Sequence, residues 1–190
     1  MNLFTLFLSG MLINNIILAK FLGMCPFMGV STRVKSAVGM GLAVIFVIFG
    51  ASVLSWLLYQ FVLAPLGLDY MKLICFILLI AAFVQFTEMF IKKNSPSLYK
   101  SLGIYLPLIT TNCAVLHVAL DNVAQGYNFI ETCVNSIAVP VGFMLMLVIF
   151  ATIRERLEGN DVPAAFEGNP IAFIIAAIMA LAFTALNGLV

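Results

Sequence analysis

Charge is the scarcest property of this chain. Only 9% of its 190 residues are Asp, Glu, Lys or Arg, where soluble domains carry roughly a quarter. So little polar material cannot cover a water-facing surface, and an ordinary soluble domain is excluded. No sign of charge dominates either. The formal net charge is +1, so no global field draws the chain to nucleic acid or an acidic partner. Histidine occurs once, at His117. The four cysteines (Cys25, Cys75, Cys113 and Cys133) show no CxxC spacing, which excludes a zinc ribbon or a thioredoxin motif. All four sit in or beside apolar segments. That weakens the disulfide framework an even count suggests in a small secreted protein. No P-loop, dinucleotide fingerprint or nucleophile–base arrangement appears. A soluble-type active site is therefore missing, and a substrate such as NADH must be handled elsewhere. No basic residue precedes the apolar run from Leu3, and no small-x-small site follows it. That run reads as a permanent span rather than a cleaved leader.

What is abundant is apolar sequence. Hydrophobic residues make up 64% of the chain, and mean hydropathy is +1.17. Lipid is the solvent for most of it. A bilayer core needs about 20 apolar residues in a helix. Six segments qualify, near Leu3–Met24, Ala37–Ala64, Met71–Ile91, Ser101–Leu120, Phe129–Thr152 and Pro170–Gly188. The expected fold is an all-α integral membrane protein of six transmembrane helices. Arg33, Lys35, Lys92, Lys93, Lys100, Arg154 and Arg156 fall in alternate connections, seven of the nine basic residues. Cytoplasmic loops are rich in Lys and Arg, so these loops are expected inside and both termini outside.

Six spans divide as three plus three. An odd number per half makes the second half start from the opposite side, so residues 1–95 and 96–190 are expected to form inverted repeats. Gly23-Met24-Cys25-Pro26-Phe27 in the first span corresponds to Thr111-Asn112-Cys113-Ala114-Val115 in the fourth. Both segments make poor continuous helix. Gly23, Gly29 and Pro26 interrupt the first; Pro107 and Thr110-Thr111-Asn112 interrupt the second. Broken backbone inside a membrane survives only where it is buried in protein or lines a cavity. Helices 1 and 4 are therefore expected to break near the bilayer midplane, with the two breaks facing each other.

Two thiolates supply half the ligands of a four-cysteine iron–sulfur cluster, and a homologous subunit would supply the rest. A buried cysteine also serves as a small hydrophobe, and a Cys25–Cys113 disulfide is a third option. The residues alone leave all three open. Cys75 and Cys133 lack any break and read as packing residues. Lys20, five positions before Cys25, would offset negative charge there, or snorkel, or pair with a carbonyl. Glu88 lies one turn before Lys92, as an i,i+4 pair or an ion-pathway carboxylate. Asn14, Asn15 and Asn112 would satisfy broken backbone or tie helices together. His117, one turn after Cys113, reads as a hydrogen-bonded packing residue, with ligand or proton carrier as the sharper alternative.

Asn14-Asn15, Lys20-Phe21-Leu22-Gly23-Met24-Cys25-Pro26-Phe27-Met28-Gly29-Val30-Ser31 and Gln85-Phe86-Thr87-Glu88-Met89 resemble segments of the RnfA/NqrE family. So do Leu102 through Ala114, Ile153-Arg154-Glu155-Arg156-Leu157 and Asp161-Val162-Pro163. The resemblance covers nearly the whole chain. Pro26 and Thr110-Thr111-Asn112 look more like the Rnf branch than the sodium-pumping NADH:quinone reductase branch, which is the alternative. The resemblance implies membership of a prokaryotic cell-membrane complex. That complex couples electron transfer between ferredoxin and NAD to Na+ or H+ translocation. It implies one [2Fe-2S] cluster shared with the homologous E-type subunit of opposite topology, with Cys25 and Cys113 as this chain's ligands. It assigns flavins, other clusters and the NAD site to the B, C, D and G subunits. It carries no role to Lys20, Glu88 or His117. A small secondary transporter of inverted halves and a structural scaffold are the readings from other classes.

Overall fold

A computed structural model describes residues 3–13, 15–67, 69–94, 108–109, 111–157, 163, 166 and 168–187. Asn14, Pro107 and Thr110, with most of the expected fourth span before Cys113, lie outside the described residues. Every regular element among the described residues is helical.

The first apolar run is not one helix. Leu3–Leu8 (α1) passes into a π-helical turn at Ser9–Ile13. A new helix, Ile16–Lys20 (α2), starts at Asn15, whose Oδ1 accepts the Ile17 N–H at 3.1 Å. The Asn15 amide donates to Gly142 O at 3.0 Å, tying this start to a distant helix. After Lys20 the chain turns left-handed. Phe21 has φ 53, the one positive φ at a non-glycine among the described residues. Such a conformation costs an L-residue about 1–2 kcal/mol. Gly23 follows at φ 80, and Met24–Val30 (α3) restarts the helix. Pro26 therefore sits in a first turn, where its missing N–H is no loss. The expected interruption is present, and its hinge is Phe21–Gly23.

Val34–Leu58 (α4) is apolar all round and continues through a π-helical turn at Tyr59–Leu63. It stops after Pro65, at Gly67 in the left-handed region. Lys72–Asn94 (α5), Cys113–Ala124 (α6), Phe129–Leu157 (α7) and Asn169–Asn187 (α8) follow. Val34–Leu63, Lys72–Met89 and Phe129–Leu157 are long and apolar enough to cross a membrane; Cys113–Ala124 and Asn169–Phe183 are shorter apolar helices. α7 extends to Leu157, past the expected end at Thr152.

The core is the α4–α7 pair, the most extensive helix contact in the molecule. It runs antiparallel. Gly41, in the first half of α4, packs on Met144, midway along α7. Trp56, late in α4, meets the Phe129 ring edge-on at 5.3 Å and donates its indole N–H to Tyr127 O at 3.1 Å. Met40, Val44, Ile48, Phe143, Met146 and Phe150 fill the space between them. Phe27 stacks on Phe150 at 4.3 Å and pins α3 to α7. At the same end, Arg154 donates to Met28 O at 3.1 Å and to Ser31 Oγ at 3.0 Å. The Arg154–Arg156 segment therefore lies beside the connection carrying Arg33 and Lys35. Tyr127 and Trp56 mark the opposite end. α5 packs on α4 and α6 and leaves Ile74, Leu78, Phe86 and Met89 exposed. Such an apolar face suits lipid or another apolar chain.

Candidate functional site

The two interrupted segments meet. α6 begins at Cys113 because Asn112 caps it, its Oδ1 accepting the Ala114 N–H at 3.0 Å. Across the chain, the Gly23 N–H donates to Cys113 Sγ at 3.2 Å. That bond joins the first break to the second over 90 positions of sequence. Gly23 is required here twice. Its φ is left-handed, and a Cβ would sit 2.9 Å from Phe143 Cε2 and 3.4 Å from Asn112 Oδ1. Both helix restarts thus place a cysteine in their first turn, Cys25 as the second residue of α3 and Cys113 as the first of α6. The starts differ by one residue from the register the sequence comparison suggests, because Gly23 caps one helix and Asn112 the other.

Both thiols are free and both residues are exposed on the chain's surface. No Cys25–Cys113 disulfide is formed. Cys113 borders an open, largely apolar recess of about 280 Å³ against Ile77, Ile80 and Ala81 of α5. Asn112 is buried, and among the described residues its Nδ2 has no hydrogen-bond partner. An orphaned buried amide costs about 1–3 kcal/mol. It stands beside Cys113 as a donor in want of an acceptor. Two surface thiols, a bound backbone N–H and a spare amide suit a sulfur-ligated centre whose remaining ligands come from elsewhere. Among the described residues no group of three or more His, Cys, Asp or Glu is arranged to hold a metal.

Among the described residues Lys20 pairs with no carbonyl at the break. Its Nζ lies 2.8 Å from His117 Nε2, so α2 is bonded to α6 through the chain's only histidine. His117 is hydrogen-bonded, as expected, but its partner was not foreseen. Asn15 and Asn112 cap helices, as the broken backbone requires. Cys75 and Cys133 lie within α5 and α7 as free, partly buried thiols. Glu88 lies on α5, partly buried and away from the residues lining the Cys113 recess.

Sequence reading missed a second feature. A polar cavity of about 190 Å³ lies between α1, α2, α6 and α7, with Lys20, His117, Asp121, Gln125, Tyr127 and Asn135 in its walls. The fourth apolar span, Ser101–Leu120, stops short of Asp121 and so puts it in a loop; the structure carries α6 on through Asp121 to Ala124. The available signal was spacing, since Cys113, His117 and Asp121 stand at i, i+4 and i+8 on one helix face. Beside the cavity, Asn135 donates to Asn122 Oδ1 at 2.7 Å and Asn122 to Ser136 Oγ at 3.2 Å, which locks α6 to α7. The Tyr127 phenol, in the turn after α6, is pushed above its ordinary pKa by burial, then by Asp121 and Glu131.

The family model described as "Rnf-Nqr subunit, membrane protein" matches residues 3–190. The chain belongs to this family. Proteins named as the A subunit of the "Ion-translocating oxidoreductase complex" from Yersinia pseudotuberculosis, Yersinia enterocolitica and Shigella sonnei are each 55% identical to it. Each alignment covers 97% of this chain and 96% of the relative. The family description and the long apolar helices make this a multi-pass membrane protein.

Proposed function

We propose that this chain is the A subunit of an ion-translocating oxidoreductase complex of the cell membrane, with Cys25 and Cys113 as its half of the ligand set for a shared [2Fe-2S] cluster. The observation that carries this reading is the Gly23 N–H to Cys113 Sγ bond, which brings the two interrupted segments together and leaves both thiols at the surface. A site exposed in this way is completed by a second chain, best the homologous E-type subunit of opposite topology. The cluster, when bound, would take up and pass on one electron at a time between the faces of the complex. The chain's own residues would hold it and tune it. The Gly23 N–H and the Asn112 amide would donate to sulfur. Ile77, Ile80 and Ala81 would keep water from it. Electron transfer would be coupled to Na+ or H+ movement by the assembled complex, whose flavins, other clusters and nicotinamide site lie in the remaining subunits.

The proposed frame is six spans in two inverted halves, 1–95 and 96–190, with the basic connections cytoplasmic. The antiparallel α4–α7 core supports it, because inversion requires spans two and five to run oppositely. The Arg154 bonds to Met28 and Ser31 support it too, by gathering two basic connections at one end. The relatives' name favours the redox complex over a free-standing transporter. In the assembled complex, Cys25→Ser and Cys113→Ser are each expected to abolish the cluster's EPR signal and electron transfer across the membrane. Cys75→Ser and Cys133→Ser are expected to keep both. Persistence of the signal in either of the first two variants overturns the assignment.

A further inference from the structure

We propose that the polar cavity along α6 is a water-accessible proton site, in which Lys20 and His117 share one exchangeable proton that enters past Asp121 from the Tyr127 end. The proposal rests on the membrane reading of this chain but not on the cluster. Ionisable groups are costly within a membrane and tend to face a cavity or one another. Here Lys20, His117 and Asp121 line one cavity, with Gln125 and Tyr127 at its outer end. His117 stands one turn above Cys113, and Asp121 a further turn up, about 12 Å along the axis from the cysteine. Gln125 is exposed at the helix end, where a Gly126 turn folds the Tyr127 N–H back onto Asn122 O at 3.2 Å. The cavity thus runs about two helical turns from a loop to the Lys20–His117 pair.

The 2.8 Å bond defines what the pair holds. An ammonium has only donors, so His117 must present an unprotonated Nε2 to accept from it. One proton beyond the two neutral bases satisfies this bond; a second, on Nε2, sets two donors against each other and breaks it. Breaking it matters locally, because Lys20 ends α2 immediately before the Phe21–Gly23 turn that reaches Cys113. The charged and titratable groups facing the pair are Asp121 on α6 and Tyr127 in the following turn, with Glu131 beyond it. The π-helical turn after α1 contributes Ser9 and α7 contributes Asn135, which carry no charge. α8 packs on α2 and has no ionisable residue in its sequence. Glu88 is not among the cavity's lining residues.

The test uses the assembled complex in sealed vesicles of known orientation. Diethyl pyrocarbonate acylates only unprotonated imidazole, and mass spectrometry of the His117 peptide reads this site alone within the chain. Because the reagent crosses lipid, the two baths are set to different pH, and labelling is expected to follow the pH of the bath at the face carrying Tyr127 and not of the bath at the face carrying Arg154. The pH midpoint of labelling is expected to rise by about one unit in Lys20→Met, which removes an adjacent positive charge, and to fall in Asp121→Asn, which removes a negative one. Lys20→Arg, which keeps the charge, is expected to hold the wild-type midpoint and shows that the site survives substitution. Labelling that follows the pH at the Arg154 face or at neither face, no labelling at any pH, or shifts that are absent or share one direction overturn the proposal. The readout needs no iron. A complex that keeps its EPR signal in Cys25→Ser but shows these opposed shifts refutes the cluster assignment and leaves the proton site standing.

Discussion

Gly23→Ala is the sharpest test of how the interrupted segments are held. Two terms oppose the new methyl group. At φ 80 an L-residue is strained, by about 1–2 kcal/mol. The Cβ would also lie 2.9 Å from Cε2 of Phe143, a ring with no exposed surface. Overpacking of this kind costs about 1–3 kcal/mol. The expected loss is therefore about 2–5 kcal/mol. Gly67→Ala separates the terms, because its φ is 65 and nothing lies within 4 Å of its added Cβ. It should lose only the strain, about 1–2 kcal/mol. Unfolding of the full chain in mixed micelles, followed by fluorescence of its single tryptophan, Trp56, measures both. Gly23→Ala should also displace the N–H from Cys113 Sγ and speed alkylation of that thiol. If Gly23→Ala costs no more than Gly67→Ala, Phe143 does not confine the turn and the reasoning fails.

Gly142→Ala would drive a methyl group into the backbone of Met11, with its Cβ 3.1 Å from Met11 Cα. Backbone cannot swing aside, so α7 should separate from the π-helical turn at a cost of about 3 kcal/mol, seen as a lower midpoint in the same unfolding assay. Tyr127 supplies a pH dependence. Its phenol is held above the ordinary value, so the neutral form favours the fold. That contribution is complete below the unfolded pKa of about 10 and is lost as pH rises through the higher folded value. Micellar stability should fall more steeply above pH 10 in the wild type than in Tyr127→Phe; equal slopes would refute the cause given.

Composition, periodicity and punctuation carry much of this protein. A chain with so few charges must sit in lipid, and strongly apolar windows such as Val34–Leu63 and Lys72–Met89 announce helices wherever they occur. The first break was legible because Gly23 and Pro26 have backbone requirements that no packing can alter. Asn15 and Asn112 were legible as caps for the same local reason. Other features needed the fold. Phe21 in the left-handed region has no sequence signature; it closes α2 with its side chain exposed, its N–H bonding Ile17 O and the Leu22 N–H bonding Ile16 O. Asp121 looked like a loop residue because charge normally ends a span, yet α6 carries it beside a polar cavity that only four assembled helices create.

The cysteine motifs lie on both sides of this division. Sequence alone determined that each adjoins an interruption, since glycine, proline and polar residues act through local geometry. It did not determine that the interruptions touch, or that Lys20 turns from Cys25 to His117. Those contacts join residues 90 and 97 positions apart. They exist only because α7 packs on both α2 and α4, and α4 on α6, bringing α2 and α6 side by side.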